Sequence, residues 1–190
     1  VLSSGVYQKM GDIYDLSREI KSRVLNLQNI ERSKKVVNEH YDLPVKFYSA
    51  ILDPYMQYSC AYFDSTNNLG HAQIKKMELI CEKLALNEND RVLDVGGGWG
   101  GLAKFMADEY KAKPVVVNLS KEQVNYIKEN YGDRIETWLC DYRDIPNRLV
   151  EPFDAVCSVG AFEHFGHKNY GTFMEIVNQS LKSGGRFLLH

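Results

Sequence analysis

The residues whose types and spacing point most directly to chemistry lie in the middle of the chain. Asp94 is near the end of the apolar run 91–95, and the glycine-rich loop 96–101 (GGGWGG) follows directly. Because glycine has no Cβ, such a loop can adopt positive φ angles and let a ligand lie against its backbone. A helical pattern begins at Leu102. A strand, a tight turn and a helix in this order form the first unit of a nucleotide-type α/β fold.

Two ligand classes fit the loop. Gly96, Gly98 and Gly101 satisfy the dinucleotide pattern GxGxxG. Asp94, Gly96, Gly98 and Gly100 satisfy DxGxGxG, which resembles motif I of the S-adenosylmethionine (SAM) methyltransferases. A dinucleotide places its pyrophosphate at the helix N-terminus, where an aspartate opposes it, whereas the ammonium and sulfonium of SAM favour a carboxylate. We therefore predict a SAM site, and a structural glycine turn without a ligand stays as the alternative.

Polar residues also follow the later apolar runs. These runs predict three further strands, over 115–117, 135–139 and 153–158. Asn118, Asp141 and Glu163 come after them in turn. Ligands of open α/β sheets bind at the carboxyl ends of the strands, so we expect these three side chains and Asp94 to converge on one site.

The residues at the strand ends receive individual roles. Asn118, with Gln123 one helical turn later, is placed to hydrogen-bond ribose hydroxyls. Asp141 is placed to accept a hydrogen bond from an adenine amino group, although it could equally cap a helix, and Tyr142 could stack on the adenine ring. Glu163 follows a buried strand among small and aromatic residues, so we expect its carboxylate to be partly buried and partnered. The alternative for Glu163 is a solvated loop acid.

The elements that must position these residues alternate along the chain. Apolar periodicity predicts helices over 69–86 and 169–181. Ser120 is a good N-cap for another helix. The pair 184–185 (GG) is expected to stop the last helix, and a fifth strand is expected to begin at Arg186. Such alternation predicts an α/β protein with a doubly wound, mostly parallel sheet.

Three segments are predicted along the chain. Residues 1–30 form an N-terminal helix or the tail of a preceding domain, 31–86 a helical, aromatic lid, and 87–190 the ligand-binding core. The lid holds a run of aromatic residues: Tyr41, Phe47, Tyr48, Tyr55, Tyr58, Tyr62 and Phe63. Any single ring is best explained by core packing, whereas the cluster as a whole favours a ligand-binding role.

Composition limits the classes of partner. The formal net charge is −2, which offers no basic field for nucleic acid. No apolar run reaches the roughly 18–20 residues that span a bilayer. The four cysteines, which are Cys60, Cys81, Cys140 and Cys157, are scattered and indicate neither a metal site nor a disulfide framework. We predict a reducing, cytoplasmic location. Because an apolar run precedes His190, we also expect these residues to be part of a longer protein.

Several motifs together resemble one family. The segments are His40-Tyr41-Asp42-Leu43, Tyr58-Ser59-Cys60-Ala61-Tyr62-Phe63, Leu93-Asp94-Val95-Gly96, Asn118-Leu119-Ser120-Lys121 and Gly160-Ala161-Phe162-Glu163-His164-Phe165-Gly166. In order and spacing they are similar to the cyclopropane-fatty-acyl-phospholipid synthases and the mycolic-acid cyclopropane synthases. The resemblance runs from about residue 25 to residue 190.

The resemblance implies a Rossmann-like class I SAM methyltransferase that is incomplete after the fifth strand. It implies transfer of a methyl carbon to the double bond of an unsaturated phospholipid acyl chain, with ring closure assisted by a bound bicarbonate ion. The implied catalytic residues around that ion are Tyr41, Cys60, Glu163 and His190. The implied SAM contacts are Tyr58, Ser59, Gly96, Gly98, Asn118, Gln123, Asp141 and Tyr142, to which the charge argument adds Asp94.

The lipid substrate implies transient contact with the inner face of a membrane, and a homodimer is possible. Two other functions stay open. One is a SAM methyltransferase that acts on carbon, nitrogen or oxygen without ring closure, and the other is a non-catalytic remnant that still binds SAM. A dehydrogenase is a third and weaker alternative.

Overall fold

Five strands form one parallel sheet in the part of the chain that this computed structural model describes, residues 45–190. They are β1 (Arg91–Val95), β2 (Lys113–Asn118), β3 (Glu136–Leu139), β4 (Phe153–Ser158) and β5 (Leu181–Leu189). Their order in the sheet is β3-β2-β1-β4-β5. The predicted segment 1–30, the start of the lid and Tyr41 lie outside the described residues, so the division into three segments stays a prediction.

Helices connect the strands. They are α1 (Val45–Ile51), α2 (Leu69–Lys83), α3 (Gly101–Glu109), α4 (Lys121–Tyr131), α5 (Ile145–Arg148) and α6 (Tyr170–Ser180). Short 3-10 turns occur at Gly132–Arg134, Tyr142–Asp144, Phe162–His164 and His167–Asn169. Ser120 caps α4 as predicted, since its hydroxyl accepts a hydrogen bond from the Gln123 N–H at 3.3 Å. None of the helices within 45–190 is long and apolar enough to cross a membrane.

Both faces of the sheet are buried, which explains why its strands are continuously apolar. Val92 of β1 packs with Met77 and Ile80 of α2. The next residue, Leu93, belongs to a second cluster with Phe173 and Val177 of α6 on the other face. The prediction of a doubly wound parallel sheet is therefore confirmed.

The prediction for the last strand was wrong at its start. β5 begins at Leu181, and Gly184 and Gly185 lie inside the strand instead of ending the preceding helix. α6 ends earlier because Leu181 is already extended and packs its half-buried side chain against the cluster around Phe173. The glycines absorb an irregularity, since the pairing partners shift between Phe153 and the rest of β4.

The sheet topology creates the place for a ligand. β1 pairs with β2 on one side and with β4 on the other. The chain runs from β1 to β2 and β3 on one side and then returns from β3 to β4 on the other side, so the strand order reverses next to β1 and a crevice opens at the carboxyl ends of β1 and β4.

Candidate functional site

A cavity of about 1000 Å³ opens at the carboxyl edge of the sheet. Asp94, Asn118, Asp141 and Glu163 all line it, so the predicted convergence of strand ends is confirmed. The other predicted site residues that the structure describes line it too: Tyr58, Ser59, Cys60, Gly96, Gly98, Gln123, Tyr142 and His190. Their individual roles toward a ligand stay predictions.

At two positions of the loop the geometry explains why the residue is glycine. Gly96 has φ +81°, and a Cβ there would lie 2.5 Å from the Cβ of Ala161 in the loop after β4. Gly98 has φ +55°, and a Cβ added there would have no heavy atom within 4 Å. The first glycine lets two loops approach each other, and the second leaves bare backbone beside the cavity.

Asp94 is a buried carboxylate with an unsatisfied oxygen. Its side chain is 1% exposed, and Oδ1 accepts a long hydrogen bond from the Cys157 thiol at 3.6 Å. Oδ2 has no hydrogen-bond partner among residues 45–190. Burial raises the pKa of Asp94 to about 7, and it raises the pKa of the Cys157 thiol well above its usual value, which keeps the thiol a donor. An unpaired buried oxygen at a cavity wall fits a cationic or hydrogen-bond-donating ligand.

Asn118 fastens the glycine loop to the sheet. Its Nδ2 donates to the Gly98 carbonyl at 2.9 Å and to Gln123 Oε1 at 2.8 Å. Its Oδ1 accepts from the Ser120 N–H at 3.2 Å. Both amide protons are therefore used inside the protein, which leaves Oδ1 and the Gln123 amide nitrogen for the predicted contact with ribose hydroxyls.

Asp141 acts as a cap, as the alternative explanation had it. Its Oδ1 accepts from the Arg143 N–H at 3.0 Å, and its Oδ2 pairs with the Arg143 guanidinium at 3.1 Å. Tyr142 is buried and stacks on Phe165 with ring centroids 4.5 Å apart. The adenine contacts of Asp141 and Tyr142 remain predictions, and any such contact shares these groups with the protein.

Cys60 and His190 come together from opposite ends of the described chain. Cys60 Sγ lies 3.8 Å from His190 Nε2, and both residues are exposed at the cavity. The backbone of His190 continues the sheet, since its N–H donates to Ser158 and its carbonyl accepts from Gly160. Tyr58 is 61% exposed and meets Tyr48 edge to face at 5.6 Å.

The expectation for Glu163 was wrong in its burial. Glu163 is exposed, and its carboxylate has no hydrogen-bond partner within the described part of the chain. The reason is the 3-10 turn that contains it, where Phe162 turns inward and stacks on Tyr170 at 3.9 Å. Glu163 therefore sits at the rim of the cavity as a solvated loop acid.

The aromatic run divides into two groups. Tyr48 is buried against Trp99, which is core packing, whereas Tyr62 and Phe63 are exposed. Sequence reasoning missed Trp99 and His164 as cavity-lining residues. The position of Trp99 inside the glycine loop was an available signal, whereas nothing local distinguished His164 from a surface histidine.

The charge of the cavity wall is one-sided. Asp94, Asp141 and Glu163 line it, and no lysine or arginine does so within 45–190. A pyrophosphate would find no cationic side chain there, while a ligand with a sulfonium and an ammonium is attracted. In the same range no group of three histidine, cysteine, aspartate or glutamate side chains is placed to hold a metal ion.

Comparison with known proteins yields one family. The family described as "Mycolic acid cyclopropane synthetase" matches residues 28–190. The cyclopropane-fatty-acyl-phospholipid synthase of Escherichia coli (strain K12) is 45% identical over 100% of this chain and 49% of its own length. Cyclopropane mycolic acid synthase 3 of Mycobacterium tuberculosis is 35% identical over 81% of this chain and 54% of its own length. The chain thus spans about half the length of these relatives.

Solved structures agree with this assignment. The mycolic acid cyclopropane synthase CmaA1 complexed with SAH and CTAB matches with a TM-score of 0.75 and 35% identity, covering 82% of this chain and 55% of that one. Coclaurine N-methyltransferase bound to N-methylheliamine and SAH matches with a TM-score of 0.76 and 25% identity, covering 99% of this chain and 53% of that one. The fold is that of the class I SAM methyltransferases, as predicted.

Proposed function

This chain belongs to the mycolic acid cyclopropane synthetase family, and on that premise we propose that it binds SAM and takes part in cyclopropanation of unsaturated phospholipid acyl chains. The observation that carries the proposal is the cavity wall, where three carboxylates and no lysine or arginine converge among the described residues. This wall favours a cationic methyl donor over a dinucleotide.

The residues present fit the donor. Asp94 offers an unpartnered buried oxygen, and Gly98 leaves space beside its backbone. An ammonium or another donor group of the ligand would satisfy Asp94 and favour its ionised form. The Gln123 amide nitrogen and Asn118 Oδ1 are available to ribose hydroxyls at the end of β2.

Cyclopropanation requires the chain to stabilise a developing positive charge and to provide an acceptor for a proton. When bound, SAM supplies an electrophilic methyl group to the alkene, and loss of a proton from the transferred carbon closes the ring. Positive charge that develops on the acyl chain is stabilised by aromatic faces, which Tyr58 and Phe162 offer at the cavity. The departing proton needs an acceptor nearby. Glu163 and His190 at the rim of the cavity can accept this proton or orient the group that accepts it.

The chain also offers donors for the bicarbonate ion that the family resemblance implies. The imidazole of His190 and the thiol of Cys60 are exposed together at the cavity and can donate hydrogen bonds to a small oxyanion. Glu163 would then orient this ion or exchange a proton with it. Tyr41, the fourth predicted residue of this group, lies outside the described residues.

The acyl substrate implies contact with a lipid surface. Exposed apolar side chains are concentrated in one stretch near the site: Phe47, Ile51, Tyr58, Tyr62, Phe63 and Leu69. We infer that this stretch touches the cytoplasmic face of a membrane when an acyl chain enters. A homodimer remains a separate prediction, which sedimentation of the purified protein would test.

The test has a binding step and a product step. Calorimetry should show that S-adenosylhomocysteine (SAH) binds, and a silent titration would contradict SAM binding; binding without any labelled lipid product would support the non-catalytic remnant. The protein is then incubated with methyl-labelled SAM and a monounsaturated phospholipid, and the lipid is examined by proton NMR. Upfield cyclopropane resonances that carry the label support ring closure, whereas a labelled methyl group on an open chain would contradict it.

A methyltransferase without ring closure is the second candidate. It is favoured by the match to coclaurine N-methyltransferase over nearly the whole chain. Methylation of an amine substrate in preference to a phospholipid alkene would decide for it.

A further inference from the structure

Lys76 is a buried lysine in the middle of α2. Lys76 is 5% exposed, and its Nζ donates a hydrogen bond to the Ser59 hydroxyl at 2.8 Å. No carboxylate within the described residues lies at ion-pair distance from this ammonium. A buried charge without an ionic partner is costly, so its presence asks for a reason.

α2 holds the segment that carries Ser59 and Cys60 at three points. Lys76 binds the Ser59 hydroxyl, and Gln73, one turn earlier, donates its Nε2 to the Ser59 carbonyl at 3.0 Å. The carbonyl of Ala72 accepts from the Tyr62 N–H at 3.2 Å. The segment forms no helix or strand of its own, so the helix defines where Cys60 lies.

Lys76 also brings a charge to a cavity that Cys60 and His190 line. The three side chains line a second cavity of about 410 Å³, together with Lys83. Asp53, which is buried on the preceding loop, is the acidic group whose charge acts most strongly on Lys76, and Cys60 follows. We call the pair Cys60 and His190, with Sγ and Nε2 3.8 Å apart, the anion corner.

We propose that Lys76 is a positioning residue of the anion corner, which fixes Ser59 and supplies the positive charge that lets a small oxyanion bind beside Cys60 and His190. The need is physical, since Asp94, Asp141 and Glu163 line the main cavity together with Cys60 and His190, and no lysine or arginine within residues 45–190 lines it. The role of Lys76 rests on geometry, and the assignment of the anion to the bicarbonate class rests on the proposed function.

The charge is present near neutral pH. Burial lowers the pKa of Lys76 to about 8, so the ammonium form still prevails at pH 7. A bound anion would favour that form further. Measurements of the charge effect therefore belong at pH 7.

Cys60 itself provides the probe. Anionic iodoacetate and neutral iodoacetamide alkylate the same thiol, and the ratio of their rates reports the local electrostatic potential. The labelled peptides are separated by mass spectrometry, so Cys60 is read apart from Cys140. Cys140 lines the main cavity, has both a cation (Arg148) and two acids (Asp144 and Asp141) acting on it, and serves as the internal reference. This assay needs neither a methyl donor nor a lipid.

The expected result is specific to the charge of Lys76. In the wild-type protein the ratio at Cys60 exceeds the ratio at Cys140. Lys76→Met lowers the ratio at Cys60 about fivefold, as loss of one nearby unit charge predicts, and Lys76→Arg retains it. Lys75→Met is the matched control, because Lys75 is exposed on the same helix and pairs with Glu78, and it leaves the ratio unchanged.

Three outcomes overturn the proposal. One is a wild-type ratio at Cys60 no higher than that at Cys140. The second is an unchanged ratio in a natively folded Lys76→Met protein or, if methionine prevents folding, in Lys76→Gln. The third is an equal slowing of both reagents in the methionine and arginine variants, which indicates a structural role alone. Bicarbonate should also protect Cys60 from alkylation in the wild type and not in Lys76→Met. Absence of protection in the wild type, with the other results as expected, overturns only the assignment of the anion to the bicarbonate class.

Discussion

Asp94 is the residue in which structure and chemistry are most tightly coupled. A sequence pattern places it before a glycine loop, and the fold buries it with one oxygen unsatisfied. Its raised pKa means that the empty site holds a larger share of the protonated acid than a free aspartate would, and a cationic ligand favours the carboxylate. Binding should therefore release a proton from Asp94.

The pH dependence of Asp94 follows from the sign of this shift. Its pKa rises from 3.8 to about 7 on folding, so the folded protein holds a proton that the unfolded chain has lost between these values. The free energy of unfolding should fall between about pH 4 and pH 7, by at most about 4 kcal/mol, and Asp94→Asn should remove this fall. Chemical denaturation across pH measures it.

The same substitution separates stability from binding. SAH should bind the wild type more tightly at pH 8 than at pH 6, while Asp94→Asn should bind about tenfold more weakly at pH 8 and show little pH dependence. The exposed Asp133→Asn variant is the control. A pH-independent wild-type affinity together with unimpaired binding by Asp94→Asn would refute the role of this carboxylate.

Glu163 lends itself to a cleaner separation of binding from chemistry because it is exposed at the rim. Glu163→Gln should melt like the wild type and bind SAH normally, since no hydrogen bond within the described residues depends on the carboxylate. Ring formation should fall by at least about 100-fold, the usual scale for loss of a proton-handling group. Product NMR measures this.

A matched control for Glu163 lies on α6. Glu175 is exposed and does not line the main cavity, so Glu175→Gln should retain full activity. Equal turnover of Glu163→Gln and the wild type would exclude Glu163 from the reaction.

At the scale of elements, the end of β2 joins three parts of the site. The Asn118 amide ties β2 to the glycine loop through Gly98 and to α4 through Gln123. This explains why an amide stands where a dinucleotide site would use an acid. Its two protons satisfy buried acceptors, and a carboxylate could not donate them.

Replacement of Asn118 by aspartate tests this arrangement. Asn118→Asp should lower the free energy of unfolding by about 1–3 kcal/mol, because the acceptors on Gly98 and Gln123 lose their donor and face a negative charge. Asn130→Asp is the control, as Asn130 also donates to a carbonyl, that of Tyr126, but is exposed. Urea unfolding that shows equal losses in both variants would contradict the special role of Asn118.

The elements show what local pattern can predict. Apolar runs located β1, β2 and β4 because strands buried on both faces need uninterrupted apolar side chains. The start of β5 was mislocated because Gly184 and Gly185 were expected to end the helix. The helix has already ended before them, since Leu181 pairs with Phe153 of β4 and begins the strand. Which of the two occurs depends on packing against β4, a non-local contact.

At the scale of the whole molecule, the cavity forms only when the described elements fold together. SAH at about 100 times its dissociation constant should therefore stabilise the protein by about 2.7 kcal/mol, which raises the melting temperature by about 5–10 °C. NAD at the same concentration should leave it unchanged, since the cavity wall has no described lysine or arginine for a pyrophosphate. Differential scanning fluorimetry measures both, and a larger shift with NAD would favour a dehydrogenase.

The sequence by itself determined the strand-loop-helix unit at Asp94, the alternation that makes the sheet, and the motifs that indicate the family. These are local or periodic features, so neighbouring residues suffice to specify them. Only the tertiary structure decided that Lys76 is buried, that Glu163 is exposed, and that Asp94 keeps an unpaired oxygen. Burial and partnering depend on which distant segments pack against a side chain, and that information is absent from its immediate neighbours.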